Sequence, residues 1–260
     1  MVNAFRSLYA YRELLWMWTL REIKVRYKQS ILGGAWAILQ PLSLMVIFSV
    51  VFSVFLEMPT DDVPYPIFAY TALLPWTFFS TSILSASNSL INNLNLVTKI
   101  YFPRDILPIG NVGAGFFDFI IASFVLVLMM IFYQVPFRPI LLWVPLLIVI
   151  QLFLMLGVSL GFAALIVVYR DLRFVVPLLL QLWFFATPVI YPVSAIPDYL
   201  LTYYMLNPMA ALINSYRRVI LAGLPPQWIY LLICALVSLI IYFVGYGYFK
   251  RVESTLADVI

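Results

Sequence analysis

Charged residues punctuate this chain sparsely, and the intervals between them are long and continuously apolar. Six runs stand out, at 35–56, 64–85, 106–133, 140–168, 174–193 and 228–249, the third interrupted only by Asp118. About 20 apolar residues is the length a helix needs to cross a bilayer, so each run is predicted to be a transmembrane helix. A membrane β-barrel would show short segments of about 10 residues with alternating polarity, and these runs do not alternate. Because the runs are apolar around their whole circumference, periodicity does not tell which face meets a neighbour. The predicted fold class is all-α integral membrane, with six transmembrane helices.

Two stretches break the pattern. Residues 1–30 mix Leu15, Trp16, Trp18 and Tyr27 with many charges, and Glu22 and Arg26 are spaced to pair along a helix. An amphipathic interface helix lying on the headgroups is expected there, ahead of a transmembrane domain over 31–260. Residues 194–227 hold two apolar pieces, YLLTYYML and MAALINSY, separated by Asn207-Pro208 and closed by Gly223, Pro225 and Pro226. Each is too short to span, and two short re-entrant helices are predicted between spans five and six. The polar continuation of the second run, SASNSLINNLNLVTK, is expected to leave the membrane as helix.

Charge then orients the chain. Of 15 Lys and Arg residues, twelve fall on the side shared by both ends if there are six spans; Arg138, Arg217 and Arg218 fall on the other. The excess of basic residues marks the cytoplasmic side, so both termini are predicted to be cytoplasmic in a multi-pass protein of the cytoplasmic membrane. The start, MVNAFRSLYAYRELL, is too often interrupted by charge for a cleavable signal, so the first span is expected to direct its own insertion. Hydrophobic residues make up 65% of the 260 positions and charged ones 10%, far from the roughly 25% charged of a soluble domain. The net charge of +4 follows from the membrane-flanking residues and is no sign of nucleic-acid binding.

The chemistry of catalysis is missing. There is no histidine and one cysteine, Cys234, which excludes Ser-His-Asp or Cys-His nucleophiles, the usual metal clusters and an internal disulfide. There is no GxxxxGK[ST] phosphate loop; the nearest run, GNVGAG at 110–115, lacks the lysine and suits close helix packing. No catalytic residue, metal site or bound cofactor is assigned, and energy for active transport is expected from elsewhere. Asp118 is the lone acidic residue within the runs, about 18 Å into its helix and so near the middle of the membrane. A carboxylate at that depth is a functional candidate by default; the favoured reading is structural, as an acceptor for Ser or Asn on a neighbouring helix, such as Ser89 or Asn92.

Several ordered motifs resemble one family. They are LREIKVRYKQSILGGAWAILQPL (20–42), LLPWTFFSTSI (73–83), NLVTKIYFPRDILP (95–108), YRDLRFVVP (169–177), and TPVIYPVSAIP with LNPMAALINSYR within 187–217. The chain resembles the membrane subunit of type-2 ABC exporters of lipid-linked polysaccharides, a family that includes Wzm-like O-antigen, teichoic-acid and capsule permeases. The resemblance implies a homodimer with its pore on the two-fold axis, two copies of a soluble ABC ATPase that bind ATP and Mg, and a lipid-linked polysaccharide as cargo. It implies that 95–108 docks on the ATPase through Lys99, Tyr101, Phe102, Arg104 and Asp105; an ordinary basic loop is the alternative. It favours substrate admission or ATPase contact for Arg21, Lys24, Arg26, Tyr27 and Lys28, against membrane orientation by charge alone.

Aromatic faces stack on sugar rings without demanding one sequence or register, as stacking platforms do for single-stranded nucleic acid. Trp36, Trp76, Phe79, Trp183, Phe184 and Tyr191 are the candidates for pore lining, and interfacial belts or lipid-facing filler are the alternatives. Asn207, Pro208, Arg217 and Arg218 are assigned to an outer gate, with snorkelling to headgroups as the alternative for the arginines. A drug or small-lipid exporter and an intramembrane transferase are the rival functions.

Overall fold

The computed structural model describes residues 9–28, 30, 32–56, 58, 63–100 and 102–259, except the side chains of Val54 and of 254–259. Among them every regular element is helical. The elements run α1 (Arg12–Tyr27), α2 (Trp36–Ser49, extended by a π-helical Val50–Phe55), α3 (Tyr65–Ser87), the short α4 (Ser89–Asn92) and α5 (Leu94–Lys99), and α6 (Ile106–Phe132). They continue through α7 (Val144–Val168), α8 (Leu172–Phe185), the short α9 (Asp198–Tyr204) and α10 (Pro208–Arg217), and α11 (Trp228–Val259).

Among the described residues, five stretches are long and apolar enough to cross a membrane: Gly33–Ser53, Tyr65–Ser87, Ile106–Phe132, Pro139–Val168 and Trp228–Glu253. They match five of the six runs read from the sequence. The remaining run, expected over 174–193, differs. Helix α8 has 14 residues and ends at Phe185, about 21 Å of helix against a hydrocarbon core of about 30 Å. The residues from Ala186 onward turn, because Pro188 disfavours helical backbone at Thr187 before it. Two short helices, α9 and α10, do occupy 194–227.

Helix α3 is the axis of the bundle, with all but a single face buried. Its Pro75 lies inside the helix, and the wholly buried Gln151 of α7 donates to Pro75 O at 2.8 Å while accepting from Tyr216 Oη at 3.1 Å. Both ends of that amide thus have partners in a region where an unmet polar group is expensive. Helices α7 and α11 touch backbone to backbone. A Cβ on Gly245 would lie 2.1 Å from Gly157 O, and one on Gly157 would lie 2.5 Å from Tyr242 N. Small residues permit such an approach and the dispersion contacts that come with it.

Helix α2 is the opposite case. Only a narrow stripe with Met45, Phe48 and Phe52 packs on the core, while Val46, Ile47 and Val50 stay exposed. A second apolar cluster at the α1 end joins Trp18, Leu90, Val97, Ile106, Leu107 and Phe249.

Candidate functional site

Helix α1 is bound to the bundle rather than laid loosely beside it. Trp18 is buried against Gly110, where a Cβ would meet its ring at 2.5 Å, and Thr19 packs on Gly113. Eight residues further along α1, Arg26 and Tyr27 both donate to Asp118, eight residues beyond Gly110. Equal steps on both helices mean that α1 runs parallel to α6 and in register with it. The expected Glu22–Arg26 pair is therefore replaced: Glu22 lies 3.0 Å from Arg21, and Arg26 is turned toward Asp118. The partners of Asp118 are Arg26 and Tyr27, not Ser89 or Asn92. Burial first, and then the hydrogen bond to Asp118, push the Tyr27 phenol above its usual range.

This ion pair forms one wall of a cavity of about 650 Å³ between the end of α1 and helices α2, α3, α4 and α6. The opposite wall is a ladder of polar residues, Thr77, Thr81, Ser85, Asn88 and Asn92, with Gln40 of α2 beside it. Steps of 4, 4, 3 and 4 keep the ladder on one helical face. Thr81, Ser85 and Asn88 donate to backbone carbonyls of their own helix, which leaves oxygen acceptors facing the cavity. A polar cavity is thus built among otherwise apolar helices, carrying one guanidinium–carboxylate pair and several neutral acceptors. The sequence carried this signal in the 3.6-residue spacing of small polar residues from 77 to 92, and the ladder was missed because the run was read for apolar length alone.

The basic cluster divides. Arg26 and Tyr27 turn inward, Lys24 and Lys28 are exposed, and Arg21 covers the Trp18 ring at 4.2 Å while reaching Asn93 Oδ1 at 3.4 Å. Residues 95–108 divide too. Lys99 is exposed at the end of α5, and Phe102 packs on the second apolar cluster. Tyr101 lies outside the described residues. Arg104 faces α11: its N–H donates to Glu253 Oε1 at 2.9 Å and its Nη1 to Glu253 O at 2.7 Å. Asp105 is fully buried with Lys250 Nζ 2.9 Å from Oδ2, and Lys250 also meets Glu253 at 2.7 Å. Burial raises the Asp105 carboxyl and Lys250 opposes that rise. Arg104 and Asp105 therefore fasten the 95–108 segment to α11, and among the described members of the set Lys99 is the one that is exposed.

Five of the six selected aromatics fall at one place. Trp76 contacts Phe79 and Phe184 with ring centroids 5.6 and 5.5 Å apart, Phe79 meets Trp183 at 5.1 Å, and Tyr191 donates to Phe185 O. Phe79 and Trp76 are both buried, so within one chain they support Trp183 and Phe184 and line no open surface. Trp36 stands apart, exposed at the polar cavity.

At the far end of the bundle, Asn207 accepts from Trp183 Nε1 at 2.8 Å and from Met209 N at 3.1 Å, and donates to Ala186 O and Thr187 Oγ1. It caps α10 ahead of the buried Pro208 and holds the turn after α8. Arg217 is buried, with its guanidinium 3.6 Å from the Phe68 ring centre, and it donates to Pro188 O, Val189 O and Tyr191 O. It stitches the same turn and does not snorkel. Arg218 is half-exposed and donates to Pro225 O at 3.0 Å.

The sequence model of the ABC-2 type transporter family matches residues 13–221. The chain is 35% identical over 262 residues to the O-antigen export system permease protein RfbA of Myxococcus xanthus, with 99% of each chain covered. It is 30% identical over 254 residues to an O-antigen export system permease protein RfbA of Klebsiella pneumoniae, with 95% of each covered. To the polysialic acid transport protein KpsM of Escherichia coli it is 23% identical over 242 residues, or 91% of this chain and 92% of that one.

Proposed function

The chain belongs to the ABC-2 type transporter family, and from that premise we propose that it is the permease of an ATP-driven exporter that moves a lipid-linked polysaccharide across the cytoplasmic membrane. The observation that carries the cargo class is the end-to-end likeness to O-antigen export permeases. The polar cavity supports it: a headgroup bearing phosphate and sugar meets a row of amide and hydroxyl groups from Asn92 on α4 to Thr77 on α3, with Arg26 and Tyr27 on the facing helix at the Thr77 end.

The working unit is a homodimer with two ABC ATPase subunits that bind ATP and Mg. The exposed apolar faces of α2 and α8, with Val46, Ile47, Leu178, Leu182 and Phe185, offer the surfaces for a second copy and for the pore between the copies. Helix α8 with the turn 186–193 makes the sixth crossing. Helices α9 and α10 dip back from the outer face as the outer gate, and both termini lie in the cytoplasm. Lys99 and Tyr101 meet the ATPase. Movement of 95–108 reaches α6 directly and α11 through Lys250 and Glu253, and the glycan passes the aromatic group around Trp76, Trp183, Phe184 and Tyr191.

Co-purification with the candidate ATPase, followed by ATP turnover with and without this chain, tests the reading. A stable complex with altered turnover, weakened by Lys99→Glu at unchanged melting temperature, is expected. Absence of a complex, or lipid-linked glycan that still reaches the outer surface in cells lacking the chain, refutes it.

A further inference from the structure

A second groove, of about 410 Å³, opens between α3, α6, α7 and the residues after α10. Leu74 and Phe119 line both it and the polar cavity, so the two share a wall. Their chemistry is opposite. The second groove is lined by carbon, with three polar side chains among its residues, and each of these is engaged within the protein. Thr71 donates to Ile67 O and Ser123 to Phe119 O, each at 2.7 Å, and Tyr216 donates to Gln151 at 3.1 Å. A buried water needs two to four polar partners, and a sugar needs more. A hydrocarbon chain needs none. The lip of the groove is exposed at Phe124 and Val127, on a helix long enough to span a bilayer, and at Phe137 in the turn that follows it, so the lipid phase supplies its occupant.

A charge lies beside the end of the groove remote from α1, on Arg138, whose side chain runs along Gly223. Phe137 and Leu141 line the groove, and Arg138 lies between them in sequence, exposed. One of its five N–H groups is given to Ala222 O at 2.9 Å, two residues beyond the lining Ile220. None of the lining residues is acidic. A guanidinium at the rim of a hydrocarbon-lined slot complements a phosphate that carries an acyl chain.

We propose that this groove binds one acyl chain of an anionic phospholipid from the leaflet remote from α1, with the lipid phosphate on Arg138. The hydrocarbon tail of the cargo is the lesser fit, because Arg138 lies beyond the far end of α6, 20 residues past the Asp118 that holds Arg26. The proposal needs the chain to be in a membrane and does not depend on what it exports.

The test uses the intact protein in nanodiscs of phosphatidylcholine with a trace of phosphatidylglycerol carrying a diazirine halfway along one acyl chain. After irradiation, adducts are mapped by peptide mass spectrometry. They are expected to concentrate on residues 120–130 and 137–148. Unlabelled phosphatidylglycerol is expected to compete about tenfold better than phosphatidylcholine, whose phosphate is offset by its own choline cation beside Arg138. Arg138→Gln should erase that preference, and Ser123→Phe should empty the groove of adducts at an unchanged melting temperature. If Ser123→Phe does not fold, the wild-type map and Arg138→Gln still decide. Adducts spread evenly over all lipid-facing helices, equal competition by the two lipids, better competition by a polyprenyl phosphate, or cross-links to a second copy at this groove each overturn the proposal.

Discussion

Replacing Asp118 by asparagine keeps the shape of the side chain and removes the charge that Arg26 answers. The two side chains retain 27% and 20% of their exposure, so the pair is neither a surface bridge nor a fully buried one. Exposed pairs contribute about 0–1 kcal/mol, whereas removing one partner of a buried pair costs about 3–5 kcal/mol. Coulomb attraction at 4 Å in the intermediate dielectric near a protein surface is about 4 kcal/mol before desolvation is subtracted. A loss of about 2–3 kcal/mol is therefore expected for Asp118→Asn, and a similar loss for Arg26→Gln. The double variant should lose little more than either single one, because the second substitution removes a charge already stranded. The coupling energy expected from the cycle is about 2 kcal/mol.

Thermal or detergent-induced unfolding of the purified protein, followed by circular dichroism at one fixed protein concentration, measures all four corners of that cycle. A cysteine placed at exposed Lys24 gives a second readout, since α1 should detach from α6 in the single variants and become more accessible to a thiol reagent. Losses that add to within about 0.5 kcal/mol would show that Arg26 and Asp118 do not act as a pair, and the register of α1 on α6 would then rest on Trp18, Thr19 and Tyr27.

Tyr27 is held neutral above its usual range, so the docked state keeps a proton that the undocked state loses near pH 10. Docking of α1 should therefore weaken as the pH rises past 10 and be insensitive below it, and Tyr27→Phe should flatten the wild-type slope measured by accessibility of the Lys24→Cys label. Gly245→Leu forces a side chain into a space where even a Cβ lies 2.1 Å from Gly157 O, and a loss of about 3 kcal/mol or more is expected in unfolding experiments. Gly247→Ala, with nothing within 4 Å of the added carbon, is the control. Lys250→Ala strands the buried Asp105 and should cost about 3 kcal/mol with faster proteolysis of 95–108; Asp105→Asn in the same chain should recover much of it. Asn207→Ala removes the α10 cap and the indole partner of Trp183, and should cost about 2 kcal/mol while altering Trp183 fluorescence in a variant with the other tryptophans replaced.

The spans were legible because length alone decides them in a chain this apolar: five of the six intervals between charges became helices within a few residues of the predicted ends. What length does not encode is the face. In a soluble helix the apolar stripe marks the inside, but here α2, with Val46 and Ile47 exposed, and α3, with Ile67 and Leu73 fully buried, are comparably apolar. Polar residues are the ones that carry direction. The Thr77-to-Asn92 ladder was readable from its spacing, and Asn207-Pro208 was readable as the start of a helix. The shortening of α8 was only half readable, since Pro188 predicts a break but not the buried Arg217, from 29 residues away, that supplies the donors to hold it. Pairs such as Arg26–Asp118 and Lys250–Asp105 lay beyond reach because they join residues 92 and 145 positions apart: Asp118 stood out as the lone intramembrane carboxylate, but nothing local named Arg26 as its partner.

Those two pairs define a mechanical unit that no single segment suggests. Asp105 is the residue immediately before α6, and its fully buried carboxylate is tied to Lys250 of α11; Arg104 beside it is tied to Glu253. Along the next stretch of α6, Gly110 receives Trp18 and Asp118 receives Arg26 and Tyr27, so α1 is fixed to α6 at two points one register apart. Helix α11 in turn meets α7 backbone to backbone at Gly245 and Gly157. A displacement of the 95–108 segment therefore cannot move α6 alone without breaking a buried ion pair at one end or a half-buried one at the other. Among the described residues helix α2 has no comparable fastening: its contacts with α3 and α8 include apolar stacks such as Phe52–Tyr65 and Phe48–Phe184, with centroids about 6 Å apart. Such stacks contribute about 0.5–1.5 kcal/mol each beyond burial and have no fixed register. The polar cavity sits on that boundary, between a braced wall of α6 and α1 and a loosely held wall of α2, so the cheapest way to open it is to move α2.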